Sequence, residues 1–215
     1  MKRILMFLPL IYVVNSYASQ HPVFEDHTDK GEILVEADKT TLVIKRNNRL
    51  GIRVHTRNFS KQDIVKLYQA TKILEKVMNS PQLKNLIENF EYKGEKQFHQ
   101  NKDLTNLQIY SHIMTGSEDL KPNADQTMDF DLTMYRSWNP FSSVKGYTKP
   151  GTMRIWIHSK FYRRSSWSVI DVASNLAHEW LHKMGFGHDY YYNEDRPYSV
   201  PYAIGNIVAQ VAQQM

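Results

Sequence analysis

His178-Glu179-Trp180-Leu181-His182-Lys183-Met184-Gly185-Phe186-Gly187-His188-Asp189 is the stretch of this 215-residue chain on which its reading turns. Two histidines four positions apart share one face of a helix, so both imidazoles can reach one ion. Gly185 comes three residues after the second, where a glycine can take φ > 0, end the helix and turn the chain back. An uninterrupted helix would carry His188 roughly 9 Å of rise beyond His182. Three neutral imidazoles suit Zn2+ and leave a fourth coordination position open. At this composition, three His, one Glu and one Gly at these offsets arise by chance a few times in roughly 10⁵ chains.

The residues upstream agree. Ser168-x-x-Asp171 has the form of a capping box, with Asp in place of Glu, and opens a helix predicted over 169–184. At about 100° per residue, Val169, Val172, Ala173, Leu176, Trp180 and Met184 gather on one side. His178 and His182 fall nearly opposite, beside Asp171 and Asn175, and are expected to face away from the packed side. Glu179 directly follows the first histidine, which puts its carboxylate beside the ion without making it a ligand. A carboxylate there takes a proton from water whose pKa zinc lowers from about 16 to roughly 7, and returns it to a leaving amine. The competing readings are surface histidines on an amphipathic helix, a structural zinc site, and a solvated carboxylate at Glu179.

Toward the N-terminus, two β-branched runs, 40–45 and 50–56, flank Arg46-Asn47-Asn48-Arg49 and read as a hairpin. Ser60-x-x-Asp63 is an N-cap signature, followed at helical spacing by Ile64, Leu67, Tyr68, Thr71, Leu74 and Met78. Ser80-Pro81 restarts a shorter helix with Leu83, Leu86, Ile87 and Phe90 inward. Stretches 107–114, 129–137 and 152–158 alternate or run apolar and are expected to be strands. After Pro201, Ile204, Ile207, Val208 and Val211 predict a C-terminal helix. Strands and helices in separate runs, without repeats, suggest a single α+β domain.

Composition sets the outer bounds. Apolar residues are 41% and charged residues 23%, ordinary for a globular chain able to bury a core. The absence of cysteine excludes disulfides, thiolate metal sites and cysteine nucleophiles. Lys2 and Arg3 precede an apolar run over 4–14, and Ser16 and Ala18 form a small-x-small site, so 1–18 read as a signal peptide. At about eleven residues the run is too short to cross a bilayer of roughly 30 Å. No membrane anchor is expected, and the location is secreted or periplasmic. Polar residues 19–31 read as a flexible leader or short pro-segment, with Glu25 or Asp26 as candidate carboxylates for the metal, and 32–215 as the catalytic domain. The formal charge of +5 falls to about +3 without Lys2 and Arg3, too mild an excess to argue for nucleic acid.

The motif resembles that of the metzincin clan of zinc metallopeptidases, H-E-x-x-H-x-x-G-x-x-H, with His178, Glu179, His182, Gly185 and His188 at the defining positions. The resemblance implies a twisted mixed sheet with an N-terminal backing helix, an active-site helix and a C-terminal helix. It implies zinc on His178, His182 and His188, Glu179 as catalytic base and a protein or peptide substrate. The clan also places a methionine in a turn beneath the metal, in some branches with a tyrosine two residues on. Here Val200 takes the methionine's place, which marks a divergent, bacterial-type branch, and Tyr202 matches the tyrosine that touches the metal or the oxyanion. A tyrosine merely packing at the start of the last helix fits the residues equally.

Asp189 is expected to fix the turn, and Tyr190-Tyr191-Tyr192 to form part of the C-terminal wall. Trp156, Phe161, Tyr162 and Trp167 are expected to pack the sheet and helix entrance. The resemblance points to residues 132–137 as the edge strand beside which an extended peptide lies. The expected function is a secreted zinc-dependent endopeptidase. A zinc hydrolase acting on cell-wall peptides and a zinc-binding module without turnover are the alternatives; the last has no need of Glu179.

Overall fold

The structure, a computed structural model, describes residues 23–26, 31–36, 39–44, 49–139 and 142–215. The signal-peptide segment 1–18 lies outside the described residues. Seven strands form one mixed sheet: β1 (Val23–Asp26), β2 (Gly31–Glu36), β3 (Lys39–Ile44), β4 (Gly51–Arg57), β5 (Thr127–Tyr135), β6 (Gly146–Thr148) and β7 (Arg154–His158). Their order is β1-β2-β3-β4-β5-β7-β6. The pairs β1–β2, β2–β3 and β3–β4 are antiparallel, β4–β5 and β5–β7 are parallel, and β6 returns antiparallel to β7. The expected hairpin is β3–β4. Residues 23–26, read in sequence as leader, form β1 and pair with β2.

Helix α1 (Lys61–Met78) links the parallel neighbours β4 and β5 together with α2 (Pro81–Glu88) and α3 (Asn106–Thr115). A four-residue turn of helix, α4 (Ser159–Tyr162), follows β7 and leads to α5 (Val169–Lys183); α6 (Val200–Ala212) closes the chain. The fold is α+β. Among the described residues no helix is long and apolar enough to cross a membrane.

The segment 107–114 is helix, not the strand its apolar content suggested. Thr105 and Gln108 make a reciprocal capping box, and Gly116 ends the helix at φ 71°. Ile109 and Ile113, four apart, are fully buried, while Leu107 is 56% exposed. The period of burial, not β-branching, decides the element.

One core joins sheet and helices. Ile52 and Val54 of β4, Met128, Phe130 and Leu132 of β5, and Ile155 and Ile157 of β7 are buried with Leu67, Leu74, Leu176 and Trp180 from the helices. Alternate β5 residues meet polar partners on the opposite face. Asp129 accepts from Arg53 Nη1 at 3.0 Å and from Lys121 Nζ at 2.7 Å. Tyr162 and Trp167 are buried as expected, whereas Phe161 and Trp156 are only partly covered, Trp156 stacking on Tyr147 of β6 at 5.0 Å.

Two devices fix the start of α5. Asp63, in the capping box of α1, accepts from Arg163 Nε at 3.1 Å and Nη2 at 2.8 Å, and the Tyr162 hydroxyl donates to the Asp63 carbonyl at 2.9 Å. Ser168 and Asp171 then form the capping box foreseen in the sequence. Near the other end of α5, Glu118 Oε1 accepts from Trp180 Nε1 at 2.7 Å and from the Asp129 N–H at 3.0 Å, tying helix to sheet.

Burial pushes the Glu118 carboxyl up to about 7. A folded-state value above the unfolded one means that the native state holds the extra proton. Its stabilising contribution is present below about pH 4.5 and is lost as pH rises through 7, a swing of roughly 3 kcal/mol at the limit. Glu118→Gln keeps an acceptor for both donors and removes the ionisation. Its melting temperature is expected to fall less than that of wild type between pH 5 and 8; parallel melting curves over that range would count against this role.

Candidate metal centre

Helix α5 presents His178 and His182 one turn apart, and its end brings in the third ring. Gly185 stands at φ 81°. Its N–H donates to the His182 carbonyl at 3.1 Å, and the Phe186 N–H to the Leu181 carbonyl at 3.1 Å. These are the paired bonds of a Schellman ending, with Phe186 buried as its apolar contact. The chain therefore doubles back and delivers His188 to the first two. One nitrogen from each ring lies within 4.8 Å of the other two, and the Nε2 atoms of His178 and His182 are 3.2 Å apart.

The remaining ring nitrogens set the tautomers. His182 Nδ1 lies 2.8 Å from the Phe186 carbonyl oxygen, His188 Nδ1 lies 2.9 Å from that of Asp189, and His178 hydrogen-bonds the Pro201 backbone. A carbonyl only accepts, so each ring donates there and turns a bare lone pair inward. Two bare nitrogens at 3.2 Å repel unless a cation lies between them. Zn–N bonds of 2.0–2.1 Å in a tetrahedron place ligand atoms about 3.3 Å apart, which the His178–His182 pair matches, and the third nitrogen lies within 4.8 Å of both, so the three rings could hold a metal ion and are of a kind that suits zinc.

The histidines do not face open solvent, as the helical wheel implied; all three are half-buried. Helix α6 covers α5 on this side. Its approach is closest at Gly205, where a Cβ would sit 3.2 Å from the Ser174 carbonyl oxygen and 3.5 Å from His178 Cβ. Ser174 Oγ also donates to the Gly205 carbonyl at 2.8 Å. Burial lowers all three imidazoles, His178 to about 3 and His182 to about 4.

Glu179 is 4% exposed, which rules out the solvated helix-face carboxylate. Burial pushes it up to about 7, against the charge of Lys183 and a hydrogen bond from Asn175. Its Oε1 lies 3.3 Å from the position a Cβ would take on Gly146 of β6. The strand beside the site is thus β6, which corrects the expected edge at 132–137: β5 lies inside the sheet between β4 and β7. Three residues with no apolar run give β6 no signature in sequence; the turn at Pro150-Gly151 folds it back on β7. Lys183 fixes that turn, its Nζ donating to the Thr152 carbonyl at 2.6 Å and reaching the Lys149 carbonyl at 3.5 Å. Burial lowers Lys183 to about 8.

Tyr202 stands in the first turn of α6 with its ring 4.5 Å from that of His178 and 4.8 Å from that of His188. Val200 is fully buried. Asp189 holds the loop after the third histidine, accepting from Gln100 Nε2 and Asn193 Nδ2, each at 2.7 Å, and facing His99 Nε2 at 3.3 Å. Tyr190, Tyr191 and Tyr192 are 85%, 80% and 80% exposed, so they form no packed wall. Arg196 is a neighbour that the motif did not indicate: its Nη2 donates to the Tyr202 hydroxyl at 2.7 Å. The candidate carboxylates Glu25 and Asp26 fall in β1, where no side chain is described. Histidines, Glu179, Tyr202 and Arg196 line one cleft of about 1370 Å³ that is also bordered by β6.

No protein-family model matches this chain, and no curated protein matches it either. The site rests on its geometry.

Two outcomes follow from that geometry. Gly185→Ala places a side chain at φ 81°, with its Cβ 2.3 Å from Asp119 Oδ2. It should cost about 1–2 kcal/mol in thermal unfolding and weaken zinc binding, since His188 loses its return path; unaltered affinity in a zinc titration would refute this. The second concerns pH. His178 and His182, lowered to about 3 and about 4, stay neutral as pH falls from 8 to 6, and His188 is lowered by burial as well, so protons compete less for the lone pairs. Three ordinary imidazoles would lose roughly 70-fold in apparent zinc affinity over that range. The expected loss, measured by chelator competition at the two pH values, is under about 10-fold.

Proposed function

We propose that this chain is a zinc-dependent endopeptidase, a divergent member of the metzincin clan exported to the periplasm or the cell exterior. The observation that carries the reading is the convergence of three imidazoles with a buried carboxylate in one cleft, beside a strand edge that is unpaired among the described residues. His178, His182 and His188 would hold the metal. Zinc, when bound, supplies Lewis acidity toward a carbonyl oxygen and toward water.

The chain's own groups do the rest. Glu179, buried and titrating near neutrality, takes a proton from the attacking water on its carboxylate and delivers it to the leaving nitrogen. A carboxylate confined there has no use in a module that only binds zinc, which favours turnover over the binding alternative. The outer edge of β6 is unpaired among the described residues, and an extended peptide would add its main chain to it, bringing a scissile bond over Glu179. Tyr202, held against two of the rings, is placed to donate its hydroxyl hydrogen to the carbonyl oxygen as charge grows there.

Glu179→Gln separates binding from chemistry. It should retain one zinc per chain by elemental analysis and lose on the order of 10²- to 10⁴-fold in cleavage of an unfolded protein. Chelation should abolish the wild-type activity and added zinc restore it. A wild-type protein that holds zinc and cleaves neither unfolded proteins nor cell-wall peptides would end the hydrolase reading.

A further inference from the structure

Arg196 is placed by the same loop that carries the third histidine. Its backbone N–H donates to Asn193 Oδ1 at 2.8 Å, and Asn193 Nδ2 donates to Asp189 at 2.7 Å, so the arginine is two hydrogen bonds from the residue next to His188. Its side chain is committed toward Tyr202. Nη2 donates to the hydroxyl at 2.7 Å, the guanidinium carbon lies 4.9 Å from the ring centroid, and Nη1 reaches the Tyr190 carbonyl at 3.3 Å. Nε is buried without a hydrogen-bond partner among the described residues. Holding a cation half-buried with an unsatisfied N–H is costly, and a purely structural tie between two surface segments does not call for it.

We infer that Arg196 is a positioning residue for peptide-bond hydrolysis, holding the Tyr202 hydroxyl as a donor for the carbonyl oxygen that gains charge. The inference rests on the peptidase reading and on Tyr202 acting in it. A guanidinium carries donors only, so the phenolic oxygen must accept from Nη2 and its own hydrogen is turned to another partner. The ring itself packs beside two of the three histidines, 4.5 Å from the His178 ring and 4.8 Å from that of His188. The positive charge behind the oxygen strengthens the O–H as a donor, and it does so most when the acceptor becomes an oxyanion. The benefit is therefore expected in kcat rather than in substrate binding.

A double-mutant cycle with Arg196→Met, Arg196→Lys and Tyr202→Phe tests this, with kcat and KM on a fluorogenic peptide and the affinity of a tetrahedral phosphinic peptide by calorimetry. Arg196→Met should lower kcat on the order of 10- to 100-fold with KM within about two-fold, and weaken the phosphinic peptide by a similar factor. In the Tyr202→Phe background the same change should cost less than about two-fold, because the group it acts through is gone. Arg196→Lys should recover part of the loss, and zinc content should stay at one per chain throughout. Equal losses in both backgrounds, a rise in KM alone, full activity of Tyr202→Phe, or loss of zinc from Arg196→Met would each overturn the role. A wild-type protein inactive on every peptide fails at the earlier step and takes down the peptidase reading itself, a result separable from an active enzyme whose cycle shows no coupling.

Discussion

The hydrogen bonds between imidazole Nδ1 and backbone carbonyls are the constraint on which the site depends. A histidine side chain alone can present either nitrogen and rotate about two bonds. Fixing one nitrogen against a carbonyl selects the tautomer, stops the ring and aims the other nitrogen. The carbonyls of Phe186 and Asp189 lie within the turn that follows α5, and Pro201 lies at the start of α6. The segment after α5 thus supplies one of the three histidines and orients all three rings. Such a cluster is self-repelling by construction, and the surrounding fold holds it together.

That hold comes from outside the motif. Asp63, Arg163 and the Ser168 cap set where α5 begins, Glu118 anchors it through Trp180, and Gly205 lets α6 close over His178. The sheet contributes by ending early. Its last strand is short, antiparallel and, among the described residues, open on one side, and a carboxylate on the neighbouring helix comes close to it at Gly146. Charge follows the same plan: burial raises the Glu179 carboxyl and lowers the three imidazoles.

The legible parts of the sequence were those governed by local rules. Capping residues at Ser60 and Ser168, the glycine at 185 and the spacing of apolar residues in α1, α5 and α6 act within a few positions of one another, and they predicted elements and ligand convergence. Residues 107–114 misled because their aliphatic side chains satisfy both periods over so short a span; the deciding signals, Thr105-x-x-Gln108 and Gly116, flank the segment. β6 left no trace because its pairing with β7 is tertiary, and the edge was assigned to a strand with the stronger apolar pattern. The helical wheel placed His178 and His182 off the main stripe correctly, but one helix viewed alone cannot show that a second will cover its other side. Arg196 was invisible for the same reason, since its partner six residues on is brought to it by the turn into α6.

Lys183 has a consequence for the shape of the cleft. One side chain on α5, the helix that carries His178 and His182, reaches the carbonyls on the far side of the β6–β7 turn. Floor and rim are thereby stapled: the hairpin cannot swing outward without stripping a buried ammonium of its acceptors. The span of one lysine thus holds the width of the cleft's mouth, and a shorter residue at 183 would free the hairpin while leaving His178, His182 and His188 in place.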